Sequence, residues 1–171
     1  MTSLTLDEIP HDSTVFLDAN IFVYYSTGTS VSCRTLLDRC AMEAVHGLTS
    51  LAVLLEVAHR LMIIEAQQKG LIRGGNPAKK LAESPEIVKQ LDLYEEQVLK
   101  IPKMGIEVEE ATIADFSRSL VWRKRTGLLT LDSLILAVME RRQVRNLASA
   151  DKDFQQADGV QLFSPADIQM D

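Results

Sequence analysis

The sequence predicts an α/β fold in which helices cover both faces of a parallel or mixed β-sheet. Short apolar runs alternate along the chain with longer segments whose apolar residues recur every three or four positions. The chain has 171 residues and is 46% hydrophobic, which is enough for one buried core. We therefore expect residues 1–171 to form a single domain in which strands and helices alternate.

Five short segments have the composition of buried strands. Residues 14–17 are apolar with a β-branched start, and Asp18 follows them directly. This strand is expected to deliver a carboxylate at its carboxyl end, the edge at which open α/β sheets carry their sites. The other predicted strands are residues 46–49, 105–108, 146–149 and 160–163.

Five longer segments have the apolar spacing of helices. Their expected bounds are 30 or 32 to 44, 50 to 66, 87 to 101, 109 or 110 to 124, and 131 to 142. The side chains expected to face the core in the first two helices are Val31, Leu36, Leu37, Cys40, Leu51, Leu54, Leu55, Ala58, Leu61 and Met62.

The segment 67–85 is the most loop-like part of the chain, because glycines and prolines are concentrated there. It could be a linker between two domains. The helix predicted after it, however, has an apolar side that needs partners elsewhere in the fold. We therefore expect this segment to belong to the same domain.

The charge and the termini restrict the classes of function. Eighteen basic against 24 acidic residues give a net charge of -6, so no overall positive field attracts nucleic acid, and any such contact has to be local. No apolar run is long enough for a membrane span, and the N-terminus lacks a basic stretch followed by an apolar one. We expect a cytoplasmic protein in which Cys33 and Cys40 are reduced.

Four carboxylates are expected near the carboxyl edge of the sheet. Asp18 and Asp151 follow predicted strands, Asp132 lies in the first turn of its helix, and Glu56 lies within an otherwise apolar helix. The position of Glu56 is the most unusual of the four, because an isolated carboxylate at the border of a buried helix face is costly to desolvate. An Asx turn would explain Asp18 equally well, and favourable interaction with the helix dipole would explain Asp132.

Clustered carboxylates are the ligands that Mg²⁺ and Mn²⁺ prefer, and these ions keep open positions for water or substrate phosphates. Enzymes that bind these ions can hydrolyse phosphodiesters without a Ser, Cys or His nucleophile. Two nearby residues stay ambiguous: Asn20 caps a helix or lines the site, and Asp153 is a turn residue or a further site acid.

Local positive charge is concentrated at Arg123, Lys124 and Arg125, with Arg141, Arg142 and Arg145 as a second group. Both groups are candidates for phosphate contacts because they are close in sequence to Asp132. For any single one of these residues, a charge at the carboxyl end of a helix is the simpler explanation.

The motifs, in their order along the chain, resemble those of the PIN-domain ribonucleases, and most closely the VapC-like toxins of prokaryotic toxin–antitoxin pairs. The resemblance extends from about residue 14 to residue 165. The segments that carry it are residues 15–23 (Val-Phe-Leu-Asp-Ala-Asn-Ile-Phe-Val), Thr49 and Ser50 followed by Glu56, residues 130–137, and residues 147–154.

The resemblance implies a three-layer α/β/α fold with a small parallel sheet of four to five strands. It also implies an Mg²⁺- or Mn²⁺-dependent endoribonuclease, a hydrolase that binds RNA, pairs with an antitoxin protein and forms a homodimer. At the matching positions the metal ligands and catalytic residues are Asp18, Glu56, Asp132 and Asp151, supported by Asn20 and Ser149 and sometimes joined by Asp153.

The chain departs from the pattern in its acidity and in one spacing. Asp132 follows Glu56 by 76 positions, which is longer than the usual spacing in the compact toxins, and the extra length predicts an extended helical insert at about residues 67–102.

The alternatives to a toxin endoribonuclease are a housekeeping RNA-processing nuclease and a catalytically silent module that binds RNA or an antitoxin. A phosphatase that uses Asp18 as a nucleophile, similar to the haloacid dehalogenases, needs a second Asp where this chain has Asn20.

Overall fold

The computed structural model describes residues 4–168. Residues 1–3, where no leader is expected, lie outside the described residues. Residues 169–171, the end of the predicted domain, lie outside them as well.

The described residues form one six-stranded sheet in which every neighbouring pair of strands is parallel, in the order β1-β6-β5-β2-β3-β4. The predicted α/β class is confirmed, with six strands in place of four to five. The additional strand, β1, could not be predicted, because two residues are too few to show the alternation of a strand. The strands are β1 (Leu4–Thr5), β2 (Thr14–Leu17), β3 (His46–Ser50), β4 (Glu107–Glu109), β5 (Asn146–Ala148) and β6 (Gln161–Ser164).

Helices connect these strands, together with short 3-10 turns at Leu6–Glu8, Pro102–Met104 and Lys152–Gln156. The helices are α1 (Ala19–Ser26), α2 (Val31–Ala41), α3 (Leu51–Gln68), α4 (Pro77–Ala82), α5 (Pro85–Val88), α6 (Leu93–Lys100), α7 (Ile113–Thr126) and α8 (Thr130–Arg141).

The region between α3 and β4 differs from its predicted form. The loop-like segment contains α4, which Asn76 caps through its side chain and which Pro77 opens at the first helical position. The single helix predicted for residues 87–101 is two helices, α5 and α6. The break lies at residues 89–92, where the backbone amide of Asp92 donates to Glu65 of α3 instead of continuing a helix.

The predicted core-facing sides of α2 and α3 are confirmed in part. Five of the ten predicted side chains are buried and two are half-buried, in order Leu36, Leu37, Cys40, Leu54 and Leu61, then Ala58 and Met62. Val31, Leu51 and Leu55 were expected to be buried and are exposed. Val53 and Val57 of α3, which were not predicted to face the core, are fully buried. The run Leu51-Ala-Val-Leu-Leu55 is apolar throughout, so its periodicity did not distinguish the two sides of the helix, and packing against the sheet selected one.

The order of the strands produces a switch point beside the central strand. From β2 the chain proceeds to β3 and β4 on one side, and then returns through α7 and α8 to β5 on the other side of β2. Leu17 at the end of β2 pairs with Ala148 at the end of β5, so both strands end at the same level. Crevices at such points are where open α/β sheets bind ligands.

Helices α7 and α8 pack against each other in antiparallel directions, and ion pairs hold them together. The guanidinium of Arg118 is 2.5 Å from Glu140, and Arg141 pairs with the buried Asp115 at 2.8 Å. Arg142 pairs with Glu107 and Glu109 of β4. Arg141 and Arg142, considered above as phosphate contacts, are therefore engaged in internal ion pairs.

Two further expectations concern the cysteines and membrane helices. Cys33 and Cys40 are both buried and free, as predicted. Across residues 4–168, none of the helices combines the length and the apolarity that crossing a bilayer requires.

Candidate functional site

Asp18 is a buried carboxylate at the carboxyl end of β2. Its Oδ1 accepts a hydrogen bond from the backbone N–H of Ala19 at 2.7 Å, which caps α1. Its Oδ2 accepts one bond from Nδ2 of Asn20 at 2.7 Å and another from Oγ of Ser149 at 2.6 Å. The side chain is therefore held in one orientation by two elements that are far apart in sequence.

Asn20 and Ser149 join the loop after β5 to the first turn of α1. Asn20 donates through Nδ2 to Oγ of Ser149 at 3.0 Å, and its Oδ1 accepts from the backbone N–H of Ala150 at 3.0 Å. Oγ of Ser149 also accepts from the backbone N–H of Asp151 at 3.0 Å. Asn20 lies inside α1, whose cap is Asp18, so the alternative that Asn20 caps the helix is wrong. Both ends of its amide instead connect the two sides of the switch point.

Two hydroxyls that the sequence did not identify as site residues support the same strand ends. Thr49 donates to the carbonyl of Leu17 at 2.9 Å, and Ser164 donates to the carbonyl of Ser149 at 2.8 Å. Both are buried. Thr49 belonged to a recognised motif, but Ser164 lies at the end of a strand with no local signal, and only the pairing of β5 with β6 reveals its contact.

The predicted acids share one electrostatic neighbourhood. Burial, followed by the charges of Asp18, Asp151, Glu56 and Asp153, raises the pKa of Asp132 to about 6. The pKa of Glu56 is raised by burial and by Asp18. Burial also raises the pKa of Asp18, against the lowering effect of its bonds from Ser149 and Ala19. Asp132 is therefore near enough to the other four acids for their charges to affect it, and Asp153 makes the smallest of these contributions.

The donors of this group are carboxylate oxygens, which fit a hard divalent cation in chemical type. Within residues 4–168, no three acidic, histidine or cysteine side chains stand close enough together, as placed, to coordinate one ion. Asp151 is also engaged locally, because its Oδ1 accepts the backbone N–H of Asp153 at 2.8 Å. The structure thus brings the acids to one edge of the sheet without showing a ligand sphere.

Arg60 is a third residue of this region, after Thr49 and Ser164, that the sequence analysis did not identify. It lies one helical turn after Glu56, with Nη1 3.8 Å from Oε1 of that acid. Its positive charge opposes the rise that burial causes in the pKa of Asp18 and of Glu56. The signal was present as an i, i+4 pair of opposite charges on one helix, which by itself is ordinary surface chemistry.

The basic run Arg123-Lys124-Arg125 is exposed at the carboxyl end of α7. Because α7 and α8 are antiparallel and only residues 127–129 separate them, the run is near the start of α8, where Asp132 lies. Among the described residues, no carboxylate forms a salt bridge with these three side chains.

A cavity of about 590 Å³ opens elsewhere, lined by Trp122, Met139, Arg145 and Val160 among others. None of the predicted site acids lines it. The predicted site acids therefore lie outside this cavity.

These features define a class: a parallel α/β protein with a group of carboxylates at the switch point of its sheet. The sequence profile of the PIN domain matches residues 15–160, so the chain belongs to the PIN domain family. A comparison with curated proteins gives no significant match.

Several solved structures have a similar fold. A chain of VapBC2 from Rickettsia felis, bound to a DNA fragment from its promoter, is 15% identical, with 89% of this chain and 98% of that chain covered and a TM-score of 0.57. VapC20 from Mycobacterium tuberculosis, a toxin that cleaves the sarcin–ricin loop, is 19% identical, with coverages of 86% and 97% and a TM-score of 0.52. A toxin–antitoxin complex from Klebsiella pneumoniae is 17% identical, with coverages of 91% and 99% and a TM-score of 0.53. At these identities the likeness establishes the fold.

Proposed function

We propose that the protein is an Mg²⁺- or Mn²⁺-dependent endoribonuclease that hydrolyses RNA phosphodiester bonds in the cytoplasm. The observation that supports this most directly is the hydrogen-bonded group of Asp18, Asn20 and Ser149 at the switch point. Asp132 and Glu56 lie near enough that the charge of Asp18 raises the pKa of each. A PIN domain with this edge has the chemistry for a phosphodiester substrate.

In this proposal the cation is held by Asp18, Glu56, Asp132 and Asp151. When bound, it supplies an activated water and stabilises the oxygens of the displacement. Asn20 and Ser149 orient the Asp18 carboxylate through Oδ2, and such supporting groups are a large part of a metal site's function. Asp153 adds negative charge to the same edge.

The RNA backbone needs positive charge at the rim of an acidic site. Arg123, Lys124 and Arg125 are exposed near the start of α8, and they are the residues we propose to contact phosphates. Their effect is local, because the protein as a whole carries a net charge of -6.

We further propose that the protein is the toxin of a toxin–antitoxin pair. The support is that the similar structures include a VapBC2 structure and a toxin–antitoxin complex. The proposed toxin is a single domain. Residues 67–102 form a helical insert in it, and helix α6 of this insert packs on α3. Ile72, Leu81 and Leu91 of the insert form a small buried cluster with Ala66 of α3.

The decisive experiment is an RNA cleavage assay with Mg²⁺ or Mn²⁺ that compares the parent protein with Asp18→Asn. We expect a loss of more than about 100-fold, because removing a merely supporting group already costs about 10–100-fold. The matched control is Asp38→Asn, an exposed acid on α2, which should retain full activity.

Equal cleavage by the parent and Asp18→Asn would overturn the proposed site. RNA binding without cleavage at any metal concentration would identify the silent module instead. Expression of the parent in a bacterial host separates the two enzymatic alternatives. A toxin arrests growth unless a partner protein is co-expressed, and a housekeeping nuclease does not.

A further inference from the structure

The cavity of about 590 Å³ lies at the amino edge of the sheet, away from the group of acids. Arg145 and Val160 line it and directly precede β5 and β6, whereas Asp18 follows the carboxyl end of β2. We call it the amino-edge cavity. Its volume is within the range of about 300–1,000 Å³ that is typical of pockets for small ligands. A ligand bound there does not contact the predicted site acids, so this cavity needs an explanation separate from RNA cleavage.

Part of the lining of the amino-edge cavity is apolar. The aliphatic residues in it come from α8 and from the positions just before β5 and β6, and they are Leu136, Met139, Val144 and Val160. The two from α8 are fully buried, and the other two are half-buried. Trp122 of α7 is half-buried and adds an aromatic ring to the same lining. A flat ring with apolar faces therefore fits this part of the cavity.

Hydrogen bonds hold Trp122 through its edge and leave its ring faces unused. The indole N–H donates to Oε2 of Glu140 at 2.9 Å. The same carboxylate accepts two bonds from the guanidinium of Arg118, at 2.6 Å and 2.5 Å. Neither the indole N–H nor Glu140 therefore needs a partner from a ligand. What Trp122 offers to a ligand is the π surface of its ring, on which nucleobases stack in many proteins.

Two side chains of opposite charge, Arg145 and Asp158, line the same cavity and are exposed. Within residues 4–168 neither of them forms a salt bridge, with each other or with another residue. Asp158 lies in a turn over residues 157–160, closed by a backbone bond of 3.2 Å, in which Gly159 has a φ of +83°. The N–H of Gln161 then donates to the carbonyl of Arg145 at 2.8 Å, so the backbone holds both charged residues beside each other.

Guanine is the nucleobase whose edges match these two charges. An ionised carboxylate only accepts hydrogen bonds, and a guanidinium only donates them. Guanine presents N–H groups at N1 and N2 on one edge and the acceptors O6 and N7 on another, whereas adenine presents an acceptor at N1. We propose that the amino-edge cavity binds a guanine base stacked on Trp122, with Asp158 accepting from N1 and N2 and Arg145 donating to O6 and N7.

The guanine belongs either to a free nucleotide or to an RNA, and both carry a phosphate. The pKa of Glu140 is lowered mainly by its bond from Arg118 and to a smaller extent by the charge of Arg125, so Arg125 is near this wall of the cavity. A positive charge is therefore available for a phosphate beside the base. The inference does not depend on the proposed cleavage, because none of the predicted site acids lines the cavity.

The first test is titration of the purified protein with GMP in EDTA, which keeps the proposed nuclease inactive. Trp122 is the only tryptophan of the chain, so tryptophan fluorescence reports on this cavity. GMP should quench the fluorescence in a saturable way, and AMP and CMP should bind at least about 10-fold more weakly. Calorimetry of the same titration gives the affinity independently. Absence of GMP binding, binding that leaves the fluorescence unchanged, or equal affinity for AMP overturns the proposal.

Competition with RNA distinguishes the two sources of the base. A uridine oligonucleotide with one central guanine should displace GMP, and an all-uridine oligonucleotide of the same length is the control. Displacement at concentrations below the Kd of GMP identifies guanine in RNA as the ligand, and displacement only at higher concentrations identifies the free nucleotide. Equal displacement by the two oligonucleotides contradicts recognition of the base.

The last test assigns the two charged residues to the two edges of the base. Arg145→Gln and Asp158→Asn should each weaken GMP binding by about 10-fold or more, and both are exposed, so the fold should not change. The matched controls are Arg34→Gln and Asp38→Asn on α2, which should bind GMP like the parent.

IMP lacks the amino group at N2 and is otherwise identical to GMP in its base, so it isolates the contact with Asp158. The parent should prefer GMP to IMP, and Asp158→Asn should lose most of this preference, whereas Arg145→Gln should keep it. A preference for GMP over IMP that Asp158→Asn leaves unchanged contradicts the proposed orientation of the base.

Discussion

Asp18 illustrates how one side chain serves structure and a candidate site together. Its Oδ1 caps α1 by accepting the backbone N–H of Ala19. A carboxylate at the end of a strand commonly makes a local hydrogen bond to the backbone, as in an Asx turn. Its Oδ2 is bound by Asn20 and Ser149, and these bonds stabilise the ionised form against the cost of burial. The two interpretations that the sequence left open for Asp18 are therefore compatible, because each uses a different oxygen.

Arg60 gives the sharpest prediction at this scale, since its charge affects metal and RNA in opposite ways. In Arg60→Gln the acids lose a nearby positive charge, so Mn²⁺ should bind several-fold more tightly to the protein without RNA. Single-stranded RNA should bind more weakly, and the slope of its salt dependence should fall by about 0.7 if Arg60 contacts one phosphate.

The matched control for Arg60 is Arg34→Gln, an exposed residue on α2, which should change neither affinity. Calorimetric titration of Mn²⁺ and fluorescence anisotropy of labelled RNA in the absence of metal provide the two measurements. Weakening of both affinities would show that Arg60 only supports the fold around Glu56.

At the scale of elements, Glu65 explains how α6 is attached to α3. It is only 4% exposed, and its carboxylate accepts the backbone N–H groups of Asp92 and Tyr94 at 3.1 Å and 2.9 Å. Lys69 completes the group at 2.5 Å. A residue of one helix thus satisfies the free amides at the start of another, and the side chain of Asp92 makes no cap of its own.

This attachment predicts a dependence of stability on pH. Burial opposes ionisation of Glu65, but the bonds from Lys69, Tyr94 and Asp92 outweigh it and lower the pKa from 4.5 to about 2. A lowered carboxyl pKa contributes stability that is fully present above pH 4.5 and is lost as the pH falls toward 2. The contribution is about 3 kcal/mol, from about 1.36 kcal/mol for each pKa unit.

Urea unfolding at several pH values between about 7 and 2.5 measures this contribution. Glu65→Gln should lose stability at neutral pH and should show a smaller further decrease on acidification than the parent. Glu96→Gln, an exposed acid on α6, should follow the parent at every pH. If the parent and Glu65→Gln decline in parallel on acidification, Glu65 does not carry this part of the stability.

At the scale of the whole molecule, the strand order gathers the acids from four separate segments. Asp18 and Asp151 follow β2 and β5, which are neighbours, while Glu56 lies on α3, the helix after β3, and Asp132 lies on α8, the helix before β5. Burial and the mutual repulsion of these charges raise the pKa of Asp132 to about 6. Without a cation, the ionised group therefore opposes folding as the pH rises from about 4 to 6.

A bound cation should relieve this repulsion and raise the melting temperature. At a concentration about 100 times its Kd, a ligand stabilises by about 2.7 kcal/mol, which corresponds to roughly 5–10 °C for a protein of this size. The effect should be larger at about pH 7 than at about pH 5, where Mn²⁺ has to displace a proton from Asp132.

Differential scanning calorimetry with and without Mn²⁺ tests this shift, with KCl at matched ionic strength as the control. Asp18→Asn should abolish most of the shift, whereas Asp38→Asn should retain it. A melting curve that does not respond to Mn²⁺ in the parent would contradict a metal site at this edge of the sheet.

The fold class could be predicted because its signals are local. Five of the six strands and the helices α2, α3, α7 and α8 follow from composition and spacing, and the PIN family membership follows from the order of the motifs. The strand β1 and the break between α5 and α6 could not be predicted. Two residues carry no period, and the break depends on Glu65, which is 27 positions from Asp92 in the chain.

The sequence by itself determined which residue types are present at the candidate site, because Asp18, Asn20, Asp132 and Ser149 lie at recognisable strand ends and helix starts. Only the tertiary structure decided which of them touch. The bond from Ser149 to Asp18 spans 131 positions, and the contact of Ser164 with Ser149 depends on the pairing of β6 with β5. The pair of Arg60 with Glu56 is local, but the packing of α3 decides that Arg60 also affects Asp18. The physical reason is that periodicity and capping are set by neighbours along the chain, whereas contact at the switch point depends on how parallel strands are ordered in the sheet.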